Sequence, residues 1–139
     1  MGRNILAVVL GLVLGMVLIF AIELLGFLVY PPPPGLNFND PQAVAEFVAG
    51  APVMAFLLVL LAYLVGTLAG SWLAAWLSSR AKLVCGLIVG AVLLGLTIQN
   101  MRTLPHPLWF WALAITLLPL TALAGAALGK FLRPAGQPG

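Results

Sequence analysis

Ala21-Ile22-Glu23-Leu24-Leu25-Gly26-Phe27-Leu28-Val29-Tyr30-Pro31-Pro32-Pro33-Pro34-Gly35 closes the first apolar run of the chain and decides its class. The run begins at Ile5 and reaches Tyr30, longer than the roughly 20 residues a helix needs to cross a bilayer. In hydrocarbon every backbone N–H and C=O must be satisfied within the segment, so such a run is a helix. Four consecutive prolines, which lack the N–H donor, cannot continue it, and a tyrosine at its edge suits the membrane–water interface. Glu23 is the only acid or base inside any long apolar run. An acid near the middle of a span costs roughly 2.5–3.5 kcal/mol on insertion scales, so a partner or a wet cavity is expected beside it.

Three more runs follow: Pro52–Leu77, Leu83–Ile98 and Leu108–Leu128, the third run of the four being the shortest, with Gln99-Asn100-Met101 extending it to the interface. The 139 residues are 63% hydrophobic and 6% charged, against about 25% charged in a soluble domain. The expected fold is therefore an all-α polytopic membrane protein of four transmembrane helices. The first run is expected to stay as a span, because it exceeds the 7–15 apolar residues typical of a signal peptide. Leu6 stands where a myristoylation signal needs Ser or Thr. Cys85 is the single cysteine, which excludes an internal disulfide and a cysteine metal cage. His106 is the single histidine, so no metal is expected. The net charge of +3 comes from basic residues flanking spans, without aromatic interleaving, and gives no nucleic-acid signal. No Ser/His/Asp set, Walker loop, HExxH or paired carboxylate is present. The expectation is a protein that is not an enzyme and has no cofactor.

Lys and Arg in short loops set orientation. With four spans, Arg3, Arg80, Lys82, Lys130 and Arg133 share one side and Arg102 stands alone on the other, which puts both termini in the cytoplasm and Asp40, Glu46 and His106 outside. Tyr30, Trp109, Phe110 and Trp111 then read as an outer aromatic belt, with Trp76 and Phe131 as an inner one. In the long first outer loop, Pro31–Pro34 reads as an extended polyproline segment. Asp40-Pro41 reads as an N-cap followed by proline at the first helical position, opening a short surface helix that carries Val44, Phe47 and Val48. Residues 1–133 form one domain; 134–139 have linker composition and are expected to be unstructured.

Every span carries a Gly-xxx-Gly pair: Gly11/Gly15, Gly66/Gly70, Gly86/Gly90 and Gly125/Gly129. Lipid tails are as apolar as leucine, so helices in a bilayer associate through close backbone packing at small residues. Gly11-Leu-Val-Leu-Gly15-Met-Val-Leu18 matches Gly86-Leu-Ile-Val-Gly90-Ala-Val-Leu93, and Gly66 to Leu73 matches Gly125 to Leu132, which implies a duplicated helical hairpin. With that orientation all four pairs are expected in the cytoplasmic half or near mid-membrane. The outer half holds Phe20, Phe27, Phe56 and Leu57, so helices pinched at the inner end are expected to splay outward into a crevice near Glu23.

Thr97, Gln99, Asn100 and Arg102 of the third span lie at or just above the level of Glu23. An ion pair with Arg102, or hydrogen bonds to Gln99 or Asn100, would satisfy the acid. Met16, Ile19, Gly26 and Phe27 should share its helical face. Two readings stand for this group: a ligand or proton site, and a polar clamp between the first and third spans. Pro119 should kink the fourth span and free the Ile115 carbonyl, with Thr116 and Thr121 at hand. Thr67 and Ser71 should bond back to their own helix.

The pattern Glu23-xx-Gly26-xxx-Tyr30-Pro31-Pro32-Pro33, followed by Asn39-Asp40-Pro41 and a glycine-rich second span, resembles a group of small bacterial inner-membrane proteins of unassigned function. The resemblance spans most of the chain. It implies four transmembrane helices in a bacterial inner membrane and carries no activity with it. The functional expectation is a non-enzymatic membrane protein that binds a lipid, a small amphiphile or a partner helix in an outward-facing crevice lined by Glu23. The alternative is a small proton- or cation-coupled transporter or channel that titrates Glu23. Membrane lipids, and a second copy of the chain or a partner membrane protein, are the expected partners.

Overall fold

The computed structural model describes residues 1–132. Arg133 and the tail 134–139 lie outside the described residues. Five helices follow one another: α1 (Gly2–Val29), α2 (Pro41–Ala49), α3 (Val53–Leu77), α4 (Lys82–Thr103) and α5 (Leu108–Phe131). There is no strand among the described residues, and α1, α3, α4 and α5 are each long and apolar enough to cross a bilayer. The protein is an all-α bundle of four membrane-spanning helices with one short helix at its end.

The spans run up and down. Gly11 and Gly15 of α1 meet Gly70 and Gly66 of α3 in reverse order, Gly86 and Gly90 of α4 meet Ala126 and Ala122 of α5 in reverse order, and α3 and α5 run the same way, Leu68 and Trp72 facing Gly125 and Gly129. Helix α3 packs against all three other spans, whereas α1 and α5 do not pack against each other. Its stripe Ala62, Gly66, Gly70 and Ala74 is fully buried, and Thr67, Ser71 and Ala75 are buried beside it.

The approach across the glycines is close. A Cβ on Gly11 would lie 2.6 Å from the Gly70 carbonyl oxygen, and a Cβ on Gly70 would lie 2.6 Å from that of Gly11. Gly15 and Gly66 stand in the same reciprocal relation, at 3.0 and 2.7 Å. In α5 the glycines face the backbone of α3, Gly125 against the Leu68 carbonyl and Gly129 against that of Trp72. In α4 the same motif meets alanine methyls, Gly86 against Ala126 and Gly90 against Ala122. The matched motifs of the two hairpins thus face different neighbours.

This pinched half is tied at its end by polar bonds. Asn4 Oδ1 accepts from Ser78 Oγ at 3.0 Å, Ser79 N at 3.1 Å and Ser79 Oγ at 3.0 Å, and Arg3 Nε donates to the Leu77 carbonyl at 3.0 Å. The start of α1 therefore caps the last turn of α3, whose carbonyls have no helical partner.

The opposite half is filled by large rings. Phe56, Tyr63 and Phe110 are buried, with Phe110 edge-on to both of the others. Phe110 consequently belongs to the core, not to an interfacial belt: its side of α5 faces α3. Trp109 and Trp111 are half-buried beside it.

One further expectation is corrected. Thr67 and Ser71 do not bond back to α3; both hydroxyls are buried with no hydrogen-bond partner among the described residues, because the side of α3 they occupy is covered by α4 and α5. Around Pro119 the helix continues unbroken. Thr121 Oγ1 donates to the Leu117 carbonyl at 2.7 Å, two residues beyond the Ile115 carbonyl that the proline leaves without its donor.

In the loop after α1, Leu36 N donates to the Pro33 carbonyl at 3.2 Å and Gly35 has φ +84. Proline then glycine at the two central positions is what such a turn requires. Asp40 caps α2 by accepting from Gln42 N and Ala43 N, and Pro41 occupies the first turn.

Gly70→Ala should lower the melting temperature of the detergent-solubilised protein by several degrees, overpacking a tight contact at about 1–3 kcal/mol. Gly95→Ala should leave it unchanged, because a Cβ there meets nothing within 4 Å. Equal melting temperatures for the two variants would refute the close approach of α1 and α3.

Candidate functional site

At the end of the bundle away from the glycine contacts, a cavity of about 710 Å³ opens between the end of α1, the second half of α2, the start of α3 and the end of α4. Its wall is mostly apolar, with Ile22, Val44, Ala55 and Val59 among its residues. Phe27, Phe38 and Phe47 contribute rings, and Glu23, Glu46, Asn100 and His106 contribute polar groups. Phe27 and Phe38 meet edge to face with centroids 6.5 Å apart. Each element reaches the cavity for a local reason. Pro31–Pro34 ends α1 and turns the chain back, the Asp40 cap starts α2, and Pro52 starts α3.

Glu23 is half-buried on the cavity wall. Its carboxyl lies beside the Tyr63 hydroxyl of α3 and interacts with it, and Asn100 Nδ2 of α4 donates to that hydroxyl at 2.6 Å. The hydroxyl keeps its own proton to donate. Polar groups of three helices, α4, α3 and α1, thus meet at the cavity wall.

Of the residues placed near Glu23 by sequence, only Asn100 joins it, and it does so through Tyr63. Thr97 is buried in the bundle; Gln99 and Arg102 are exposed and bond to neither. Arg102 sits in the last turn of α4, at the membrane edge, where a guanidinium stays in water. The direct partner of Glu23 is on the second span, not the third. On α1, Ile19 is buried and Gly26 and Phe27 line the cavity, but Met16 is exposed. Tyr63 was not singled out from sequence, although it is the one tyrosine within a span. A buried phenol needs a hydrogen-bond partner, and that requirement is the signal that could have found it.

His106 stands at the rim, between Pro105 and Pro107 in the loop from α4 to α5. It also lines a second cavity of about 410 Å³ with Ala49, Val53, Pro105 and Trp109. Its ring lies 4.8 Å from Phe110 and 5.7 Å from Phe56, centroid to centroid. Its Nδ1–H donates to the Leu104 carbonyl at 3.0 Å. Burial among these rings holds its pKa below the ordinary 6.5, the bond to Leu104 opposing that shift less strongly. No group of three or more His, Cys, Asp or Glu that could hold a metal occurs among the described residues.

No family model, curated protein or solved structure matches the chain.

Tyr63→Phe removes the hydroxyl shared by Glu23 and Asn100 and should destabilise the protein in detergent by on the order of 1 kcal/mol; Arg102→Ala should change stability little. A larger loss from Arg102→Ala than from Tyr63→Phe would overturn the assignment of partners.

His106 favours its neutral form in the folded state. Its contribution to stability is complete above pH 6.5 and is lost as the pH falls below that value, since the unfolded chain then binds more protons. The melting temperature of the wild type should therefore fall more between pH 7.5 and 5 than that of His106→Gln. Parallel curves for the two would contradict this.

Proposed function

We propose that this is a non-enzymatic membrane protein that holds a small amphiphile or a lipid in the crevice beside Glu23. The observation that carries the reading is the cavity itself: about 710 Å³, largely apolar, with a few polar groups, Glu23, Glu46, Asn100 and His106, on its wall. Small-molecule sites are of this kind, roughly 300–1,000 Å³ with a few placed polar groups. An ionisable residue at membrane depth is by default a functional-site hypothesis. Here the Tyr63–Asn100 chain gives the carboxyl a partner without closing the space in front of it. The reciprocal backbone contacts of Gly11 with Gly70 and Gly15 with Gly66 favour binding over passage, since they leave little room for a polar path through the pinched half. The apolar outer face of α1, from Ile5 to Leu28, is a surface for lipid chains or for a second copy.

In this reading the protein resides in a bacterial inner membrane with both ends of the bundle oriented by charge. Arg3, Arg80, Lys82 and Lys130 lie at the pinched end, which is cytoplasmic by the positive-inside rule, and the crevice opens outward.

Two experiments test this. Ala55→Trp places an indole in the crevice; the wild type purified in mild detergent should retain a bound amphiphile in native mass spectrometry and this variant should lose it. An empty wild type at every detergent concentration that keeps it folded defeats the reading. For topology, Asn37→Cys in a Cys85→Ser background should react with a membrane-impermeant maleimide in intact cells and Arg80→Cys should not; the reverse pattern inverts the orientation.

A further inference from the structure

We infer that the amphiphile held in this crevice carries an ammonium headgroup. The inference rests on the binding role proposed above and adds the chemical class of ligand. Two carboxyl groups line the cavity, Glu23 on α1 and Glu46 on α2, and no Lys or Arg lines it. The nearest base in sequence, Arg102, is exposed and outside the wall. Glu46 is exposed and accepts from Gln42 Nε2 at 3.5 Å, and Glu23 is half-buried; a phosphate or sulfate head would bring negative charge to these two acids with no Lys or Arg on the wall to offset it, and like charges repel most where water is scarce, at Glu23.

The rings point to the same class. Phe27, Phe38 and Phe47 come from α1, from the loop before α2 and from α2 itself, and all three line the cavity. Phe38 is 61% exposed, an unusual state for a phenylalanine held edge to face against Phe27, and it leaves the ring free to take a ligand. Aromatic faces combined with carboxylates are the recognition chemistry of ammonium groups. The alkyl tail then lies along the aliphatic wall formed by Ile22, Ala55 and Val59. The other ionisable groups on the wall are Tyr30 and His106, and neither supplies a positive charge at neutral pH, His106 being kept neutral by its burial.

Calorimetric titration of the protein in non-ionic maltoside micelles, with blank micelles subtracted, tests this with three probes of one chain length: octyltrimethylammonium, octanol and octyl sulfate. The cation should bind about tenfold more tightly than the alcohol, which corresponds to one or two ring contacts, and the sulfate should bind most weakly. Glu46→Gln and Phe38→Ala, both outside the spans, should each weaken the cation severalfold and leave octanol unchanged; Glu23→Gln should do the same where it folds. Equal binding of cation and alcohol, or tighter binding of the sulfate, overturns the ammonium class while leaving amphiphile binding intact. Failure of all three probes to bind overturns both.

Discussion

Close approach of α3 to its neighbours is the constraint on which the rest of the structure depends. In a bilayer there is no hydrophobic force to drive one helix against another, so van der Waals contact between backbones must do it. The stripe Ala62-Gly66-Gly70-Ala74 removes the side chains that would keep α1 away, and Gly125 and Gly129 do the same on the α5 side. These contacts sit in one half of the membrane. The other half carries Phe56, Tyr63 and Phe110, whose rings hold the same helices further apart. A bundle narrow at one end and wide at the other follows from this distribution of volume, and the crevice is its wide end, roofed by α2.

The polar groups inside the bundle are arranged accordingly. At the narrow end, Thr67 and Ser71 are buried without partners, which is a cost the tight packing of α3 against α4 and α5 must offset. At the wide end, where there is room, Asn100, Tyr63 and Glu23 form a chain across three helices. That chain fixes the lateral position of α1, which contacts α3 and α4 but not α5. A single chemical group therefore serves both readings weighed from sequence: it clamps the spans together, and it presents an acceptor to the cavity.

Much of the fold was legible because its signals are local. Run length gave four spans, Asp40-Pro41 gave α2, and a period of four gave the glycine faces, since residues four apart on a helix point the same way. The relations between helices were less accessible. Levels along neighbouring spans were inferred by counting residues from matched motifs, which placed Thr97, Gln99, Asn100 and Arg102 beside Glu23 but could not say which of them faced it. At about 100° of rotation per residue, Asn100 turns inward while Gln99 and Arg102 turn outward. Tyr63 was hidden for a different reason. A phenol inside an apolar run reads as one more large side chain, and only its contact with an acid on another helix makes it a polar element. Thr67 and Ser71 were misread because the local alternative, a bond to their own helix, is the usual one.

Charge links the orientation of the bundle to the chemistry of its crevice. All three acids, Glu23, Asp40 and Glu46, lie toward the wide end, while Arg3, Arg80, Lys82 and Lys130 lie at the narrow end. The bias of bases toward the cytoplasm is a requirement of insertion, but it also empties the opposite end of cations. A cavity built there is acidic by default unless a base is placed in it. Arg102 is the one Lys or Arg at that end among the described residues, His106 being held neutral by its burial, and it sits exposed in the last turn of α4, where it offsets the negative pole of that helix rather than the carboxyls. The same segregation of charge therefore leaves Glu23 and Glu46 without a Lys or Arg beside them on the cavity wall, and a cationic ligand is what would supply a counter-charge.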